Sequence, residues 1–391
     1  MRTVPMKVYL LVAAIIMFSF FSNDFGLVDI QKTAIIIAVG IDKTEDGVAL
    51  TSQLAVPKGS DRTTGGTSGV EIKTTGKTVS EGIHNLQATT GWVPKLVFCN
   101  LIVLGEEAAK DDVMSYLNYF LRSEYMNDSC LLVVADGTAG ELLSSQSAID
   151  DTSTLAISKL FSEAAKKAGI VMANTLKDFS VDYFGVSKSG YLPYVRAIDQ
   201  EGSQDNEGNG PQSGGNGEST NSEEKQKVYR AEETAIFSEG KMVGLLTKEE
   251  TLAFSLLQGN VEAGVIDSEE NGEVVTLSIH SNSGGVSLKF NGAPTVELTA
   301  DLTVRVCCRG ITSPIEDVSS AAVPPEAIEK GNAVLTGYLS DLWDTCQKSG
   351  CDLFHLKRSL YRSSLKKYAE WKDVLLTTVK PVIKANLSSV K

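Results

Sequence analysis

The sequence predicts a multi-domain α+β fold, with mixed and antiparallel sheets flanked by helices, behind an N-terminal hydrophobic leader. Short apolar runs with strand-like alternation take turns with helices that carry capping residues. A polar, acidic stretch divides the 391-residue chain, which is too long for one ordinary core. The expected parts are a signal or membrane anchor at 1–23, an N-terminal α+β region of two subdomains at 24–198, a disordered Gly/Ser/Asn-rich linker at 199–227 and a C-terminal α+β domain at 228–391.

The leader has the layout of a secretory signal. Arg2 and Lys7 precede a mostly apolar, uncharged run over residues 8–23. As a helix this run would be roughly 24 Å long, shorter than the roughly 30 Å hydrocarbon core of a bilayer. Small residues are poorly placed for cleavage around Ser22, so we expect an uncleaved anchor, with a cleaved signal as the alternative. The basic residues would stay cytoplasmic, and the rest of the chain would lie outside.

Charge and cysteine content exclude two classes of protein. The chain has 36 basic and 49 acidic residues, a net charge of −13, whereas nucleic-acid binders neutralise phosphates with Lys and Arg. Six cysteines in a chain of this length do not make a disulfide framework. Cys99 and Cys130 lie in apolar runs typical of buried free thiols. Cys346 and Cys351 flank a predicted helix end, where a disulfide could form outside the cell.

The first half alternates strands and helices. Residues 33–41 and 48–56 predict a hairpin, because alternate positions of the second run are apolar. Thr78 and Glu81 form a capping-box pattern that opens a helix. The remaining elements expected there are a short strand near Val70, strands at 96–104 and 130–135, and helices at 106–122, near 139, at 155–168 and at 175–184.

The second half is expected to be a sheet packed against one long helix. Its predicted elements are a hairpin at 228–246, a capped helix from Thr247, strands at 274–280, 286–290 and 296–306, a long helix after Pro324-Pro325 and a last strand at 374–387. Apolar positions such as Leu335 and Leu339 recur at helical spacing, so that face should pack on the sheet. Pro381 donates no ladder hydrogen bond, so the last strand should lie at an edge.

No catalytic, cofactor or metal constellation stands out. The run Gly76-Lys77-Thr78 sits between a strand and a helix like a phosphate loop, but Glu71 occupies the place of the required glycine. Thr78 is therefore interpreted as a helix cap. The three histidines, His84, His280 and His355, stand far apart and belong to no metal motif. We expect no catalytic residue, no cofactor and no metal.

One four-residue pattern keeps an enzymatic alternative open. Ser363 and Lys366 match the bare Ser-x-x-Lys of penicillin-binding enzymes, without the companion motifs of that family. They would be the nucleophile and base of an exported cell-wall or peptide hydrolase. A second alternative is an extracytoplasmic solute-binding module whose halves close about residues 199–227, although a hinge usually needs only a few residues.

Several short motifs stand in a fixed order along both halves. They are Val39-Gly-Ile-Asp42, Gly76-Lys-Thr-Val79, Leu104-Gly-Glu-Glu-Ala108, Leu121-Arg122, Ala235-Ile-Phe237, Gly244-Leu-Leu246, Glu249-Glu-Thr251, Cys351-Asp-Leu-Phe354 and Trp371. In order and spacing they resemble the Ger(x)C family, the C subunits of nutrient germinant receptors of spore-forming Gram-positive bacteria. The positions that carry the pattern are Gly40, Asp42, Gly76, Gly105, Glu106, Arg122, Phe237, Gly244, Asp352 and Trp371.

The resemblance implies a non-enzymatic lipoprotein of three α+β domains on the outer face of the spore inner membrane. Its implied partners are the membrane and the germinant receptor A and B membrane subunits. One departure concerns lipidation, because Asp24 fills the slot of the family's lipidated cysteine and a carboxylate forms no thioether. Anchoring would then fall to the leader, or the protein would be held by its partners. Ordinary interpretations also stay open: Glu106 and Arg122 as a helix cap and a surface salt bridge, and Asp42 as a turn former.

Overall fold

The computed structural model describes residues 6–22, 33–56, 68–199, 226–291, 293–309 and 323–390. Asp24 and nearly all of the predicted linker at 199–227 lie outside these residues. In the described part, nine strands form one mixed sheet and four form a second, with helices packed against both. The predicted α+β class is confirmed. The division into domains stays a prediction.

Strands β1 to β9 build the first sheet and β10 to β13 the second. Their bounds are β1 (Thr33–Thr44), β2 (Gly47–Val56), β3 (Ser68–Gly76), β4 (Val93–Lys95), β5 (Leu101–Leu104), β6 (Leu131–Ala135), β7 (Ser189–Asp199), β8 (Lys227–Ser238), β9 (Lys241–Leu246), β10 (Val265–Glu270), β11 (Glu273–Asn291), β12 (Ala293–Arg309) and β13 (Pro381–Ser389).

The helices follow the same order along the chain. Their bounds are α1 (Met6–Ser22), α2 (Val79–Thr90), α3 (Glu106–Ala109), α4 (Val113–Leu121), α5 (Ala139–Ser144), α6 (Ser153–Leu160), α7 (Glu163–Lys167), α8 (Leu176–Phe184), α9 (Lys248–Leu257), α10 (Pro325–Ser349), α11 (Leu356–Ser363), α12 (Leu365–Trp371) and α13 (Leu375–Thr378).

The first sheet has a parallel centre and antiparallel edges. Its order is β3-β2-β1-β5-β6-β7-β8-β9, and the ninth strand, β4, pairs parallel with the start of β1. Strands β1, β5, β6 and β7 also run parallel. Strands β7 and β8 pair antiparallel from Ser189↔Ser238 to Asp199↔Lys227, across the predicted linker. The sheet therefore combines strands from both sides of residues 199–227, which argues against a hinge between two separately moving halves at that place.

Helices cover both faces of the first sheet because its central strands are apolar on both sides. Ile102 and Leu104 of β5 face one cluster with α2, α4 and α8, whereas Leu101 and Val103 face another with α5 and α6. Successive residues of a strand point to opposite faces, so one short apolar run serves both layers. The parallel strands are consequently buried on both sides.

The second sheet has the order β10-β11-β12-β13 and packs against α9 and α10. Leu335, Leu339 and Leu342 of α10 are fully buried in its core, as the helical spacing predicts. β13 pairs parallel with β12 from Pro381 onward. It lies at an edge of the sheet, which confirms the position inferred from that proline.

Three predicted elements differ from the structure. Of the strand predicted at 96–104 only β5, at 101–104, forms, and a separate short strand, β4, precedes it at 93–95. From Ile35 to Ala38 β1 advances three residues while its partner advances six, from Lys95 to Leu101, so the residues between β4 and β5 loop out. The helix at 106–122 is interrupted where Asp112 caps Met114 N at 3.2 Å and opens α4. The last predicted strand is helical over α13 before β13 starts.

Other boundaries also shift. The two strands predicted at 274–280 and 286–290 are one strand, β11, because the residues between them keep their pairing with β12, for example Gly284 with Ala300. The single helix predicted at 155–168 is two helices, α6 and α7, and Ser162 caps the second by accepting from Ala165 N at 3.4 Å.

The apolar part of the leader is helical over α1. Its large side chains are exposed, up to 75% for Phe18. Among the described residues, no helix combines the length and the hydropathy that a crossing of the bilayer needs.

All six cysteines are free, Cys346 and Cys351 included. Burial raises the pKa of Cys351 to about 12 and raises that of Cys346, and the pKa of Cys130 is raised by a hydrogen bond with the Cys99 thiol and by burial. Buried, protonated thiols are poor nucleophiles.

We therefore expect the folded protein to react with two equivalents of a thiol reagent, at the exposed Cys307 and Cys308, and with six after denaturation. Mass spectrometry of the alkylated protein measures this. A Cys307→Ser/Cys308→Ser variant should show no native labelling. Rapid native labelling of that variant would contradict the burial of the other four thiols.

Three charged side chains join the strands of the second sheet. Glu297 on β12 accepts from Lys289 of β11 and Lys384 of β13. These hydrogen bonds lower the pKa of Glu297 from 4.5 to about 2. A depressed carboxyl pKa stabilises the folded state above the unfolded pKa, and that contribution is lost as the pH falls through the folded pKa.

We expect wild type to exceed Glu297→Gln in free energy of unfolding at neutral pH and the gap to close as the pH falls from 4.5 towards 2. Urea unfolding at a series of pH values measures it. The exposed Glu370→Gln should stay level with wild type throughout. A gap for Glu297→Gln that ignores pH would refute the ion-pair explanation.

Candidate functional site

Four family-pattern residues meet at the carboxyl ends of the parallel strands. Gly40 and Asp42 lie on β1, Gly105 follows β5, and Glu106 begins α3. In sheets with a parallel centre, this edge commonly positions functional side chains. The structure thus assembles residues that are more than 60 positions apart in the sequence.

Asp42 caps a helix that lies far along the chain. Its Oδ1 accepts from Ala139 N at 2.7 Å, and its Oδ2 accepts from Gly140 N at 2.9 Å, both in the first turn of α5. A carboxylate here satisfies two backbone donors that the helix leaves unpaired. Asp42 therefore fastens α5 to β1 and does not form a turn.

Gly105 is required by the position of that carboxylate. A Cβ atom on Gly105 would lie 2.1 Å from Asp42 Oδ1, which is inside van der Waals contact. The backbone of Gly105 has φ −63° and ψ 152°, values open to any residue, so the restriction is steric. Gly40 is close-packed in the same way, since its Cβ would lie 3.1 Å from Ala139 Cβ.

Beside this carboxylate lies an open cavity of about 760 Å³. Asp42 forms part of its wall, with Thr51, Lys73, Asn85 and Glu141. Burial raises the pKa of Asp42, while the two backbone hydrogen bonds and the charge of Lys73 oppose the rise. Because the Asp42 oxygens already accept from α5, the other polar groups that line the cavity are hydroxyls, the Asn85 amide, the Lys73 ammonium and the exposed Glu141 carboxylate.

Glu106 takes part in a second polar contact at the same edge. The Tyr194 hydroxyl lies 3.0 Å from Glu106 Oε2 and 2.9 Å from Asp136 Oδ1, so two carboxylates share one phenolic proton. Lys110 pairs with Glu106 at 2.8 Å, and its hydrogen bond is the main cause that lowers the pKa of Glu106. Burial is the main cause that raises the pKa of Tyr194, and the hydrogen bonds to the two carboxylates raise it further. The arrangement ties α3 to β7.

Asp352 joins the two sheets. The carboxylate is fully buried and accepts from Ser187 Oγ at 2.7 Å, just before β7. It also accepts from Leu356 N and Lys357 N at 2.8 Å, so it caps α11. Its own N–H donates to Ser189 Oγ at 3.0 Å. Burial raises the pKa of Asp352, against which these hydrogen bonds act.

Phe237 and Gly244 lie at the same junction. The Phe237 carbonyl accepts from Cys351 Sγ at 3.3 Å, and the Phe237 ring meets Phe179 edge-on at 5.2 Å. A Cβ on Gly244 would lie 3.8 Å from Ser349 Cβ at the end of α10. Asp352 and Phe237 therefore hold the segment after α10 against β7 and β8.

The other family-pattern residues lie apart from these two groups. Gly76 ends β3 and packs closely against α2, since a Cβ there would lie 2.6 Å from Gly82 N. Arg122 is exposed and donates to Asn118 Oδ1 at 2.8 Å. Trp371 ends α12 and packs against the core of the second sheet. Arg122 thus has the ordinary role of a helix-end residue.

The contacts of Ser363 give no support to the enzymatic alternative. Ser363 Oγ donates to the Leu360 carbonyl at 2.8 Å, and no hydrogen bond joins it to Lys366 in the described part of the chain. The imidazole of His355 lies 3.4 Å from Asp182 Oδ1. Within the described ranges, no three His, Cys, Asp or Glu side chains are grouped to hold a metal.

A groove between α8 and α11 is a feature that sequence reasoning missed. We call it the α8–α11 groove; its volume is about 600 Å³, and its wall includes Leu121, Val181, Phe184, Lys177, Asp128, Asp182, His355, Arg358, Tyr361 and Arg362. Phe184 is 75% exposed and Val181 55%. The one signal available was Phe184, a large apolar residue at the end of a short helix.

Comparison with known proteins defines the class first. A family model for the spore germination protein N-terminal domain matches residues 27–197. A model for the spore germination B3/GerAC-like C-terminal domain matches residues 232–388. The chain belongs to this family of spore germination proteins, which confirms the resemblance found in its motifs.

One solved structure is similar to this chain over most of its length. The crystal structure of the GerBC protein is similar at a TM-score of 0.53 and 16% identity, over 90% of this chain and 97% of that chain. At this identity the likeness establishes the fold. Comparison with curated sequences gives no match.

Proposed function

We propose that the protein is a non-enzymatic accessory subunit of a nutrient germinant receptor. It is tethered to the outer face of the spore inner membrane and acts through contacts with the A and B membrane subunits. The observation that carries the proposal is the match of both halves to germination-family models. The family-pattern carboxylates support it, because Asp42 and Asp352 are engaged in holding the fold together.

The leader helix supports the tether. Its 17 residues give a helix of about 25 Å, and its large apolar side chains are exposed. With Asp24 in the lipidation slot, α1 is the membrane-binding element that the sequence offers. A helix somewhat shorter than the hydrocarbon core can insert with local thinning of the bilayer.

The α8–α11 groove supports contact with a partner. Its apolar wall is bordered by Lys177, Arg358 and Arg362, and cations outnumber carboxylates there although the chain carries a net charge of −13. An apolar segment with acidic residues fits this chemistry, so we assign it to an extracytoplasmic part of a membrane subunit. If a membrane subunit makes this contact in only one of its conformations, binding to the groove would shift that subunit towards that conformation.

A crosslinked pull-down of the tagged chain from spore membranes tests the proposal. We expect the multi-span A and B subunits among the recovered proteins. A Val181→Ser/Phe184→Ser variant should recover several-fold less of them. Val274→Ser, a similarly exposed valine on β11, should recover as much as wild type. Recovery of the protein alone in the soluble fraction would overturn the receptor assignment.

A further inference from the structure

The amino-terminal end of the parallel sheet exposes a group of large apolar side chains. We call it the aromatic edge; its members are Trp92, Val97, Phe98 and Tyr125, with exposed fractions of 38%, 47%, 56% and 64%. They lie in the segments that precede β4, β5 and β6. Exposed apolar groups clustered in this way mark interaction surfaces.

The chain enters the fold from the leader at this same edge. Val93, next to Trp92, pairs with Thr33, the first residue of β1. Ten residues, 23–32, separate the end of α1 from β1. Since an extended chain spans at most about 3.3–3.6 Å per residue, the start of β1 at this edge lies within about 40 Å of the end of the leader helix.

The chemistry of the edge suits the headgroup level of a bilayer. Tryptophan and tyrosine prefer that level, where an apolar ring meets water at its polar end. Lys95 Nζ lies 5.6 Å from the centre of the Tyr125 ring. The charges around the edge are of both signs: Arg122, Glu124 and Asp128 are exposed, Lys95 is half-buried, and Asp128 pairs with Lys177 at 3.7 Å, so the attraction is apolar more than electrostatic.

We propose that the aromatic edge rests on the lipid bilayer and fixes the orientation of the folded body. The inference rests on the tether of the proposed function. The parallel strands then point away from the membrane, and the cavity beside Asp42 lies at the far end. The α8–α11 groove borders the membrane, because Leu121 of its wall is four residues from Tyr125.

Tryptophan quenching in vesicles tests the inference. The full chain is reconstituted into phosphatidylcholine vesicles with brominated acyl chains, which quench indole emission at short range. Trp343 is buried, at 2% exposure, and Trp371 is partly buried, so Trp92 is the main reporter. Flotation of the same vesicles reports the tether independently.

We expect the protein to float with the vesicles and Trp92 emission to fall about twofold, with little change at high salt. Trp92→Phe should remove the quenched component, and Phe98→Ser/Tyr125→Ser should reduce the quenching while flotation persists. Val265→Ser/Val274→Ser, which changes two exposed valines of the second sheet, should leave both readouts unchanged.

Three outcomes would overturn the inference. Flotation without quenching of Trp92 would refute the lipid contact and leave the tether standing. If the emission of Trp92 changed only after the membrane subunits were added, the edge would contact a protein partner and not lipid. Failure to float would refute the tether and the lipid contact that depends on it.

Discussion

Asp352→Ala should lower the free energy of unfolding by about 3 kcal/mol. The substitution removes the acceptor of three hydrogen bonds, from Ser187 Oγ, Leu356 N and Lys357 N, and leaves these donors unpaired at the junction of the two sheets. Unpaired buried donors are costly because water cannot reach them. Urea unfolding followed by circular dichroism measures the loss.

Asp344→Ala provides the matched control. Asp344 lies on the exposed face of α10, so its replacement should change the free energy of unfolding by less than about 0.5 kcal/mol. If Asp352→Ala were equally mild, the carboxylate would not be what holds α11 against the start of β7. A further readout is limited proteolysis, which should reach the 350–364 segment earlier in the Asp352→Ala variant.

Gly105→Ala should destabilise the protein by about 2–3 kcal/mol. The added methyl group would lie 2.1 Å from Asp42 Oδ1, so either the methyl group or the carboxylate must move. Movement of the carboxylate breaks its hydrogen bonds to Ala139 N and Gly140 N. Gly337→Ala is the control, because a Cβ there meets nothing within 4 Å and alanine favours the helix by about 0.5–1 kcal/mol.

A double-mutant cycle separates the clash from a general loss of stability. In an Asp42→Ala background the oxygen that obstructs the new methyl group is gone, so Gly105→Ala should cost less than about 1 kcal/mol. The coupling energy should therefore be favourable. Strictly additive costs would show that the restriction at Gly105 has another origin. Thermal and urea denaturation of the four proteins provide the measurement.

The sequence predicts the features of this fold that depend on neighbouring residues, and it does not predict contacts between residues far apart in the chain. Thr78 and Thr247 are recognisable as helix caps because their partners lie three residues away, and both caps form, with Thr247 N donating to Glu250 Oε2 at 2.7 Å. The break before α4 was missed because Asp112 interrupts a helical apolar pattern that continues on both sides.

The roles of the family-pattern carboxylates depend on tertiary contacts. Asp42 meets Ala139, 97 residues away, and Asp352 meets Ser187, 165 residues away. No periodicity or spacing in the sequence encodes such a pair, so Asp42 also fitted a turn. The α8–α11 groove is hidden for the same reason, since exposure of Phe184 depends on how α8 and α11 pack.

The pairing of β7 with β8 has a consequence for synthesis. β7 leaves the ribosome before its antiparallel neighbour, and 27 residues separate Asp199 from Lys227. At about 5–20 residues per second, the nascent chain carries an unpaired strand edge for a few seconds. During that interval β7 can pair with another nascent chain, so a factor that shields strand edges would raise the yield of correctly folded protein.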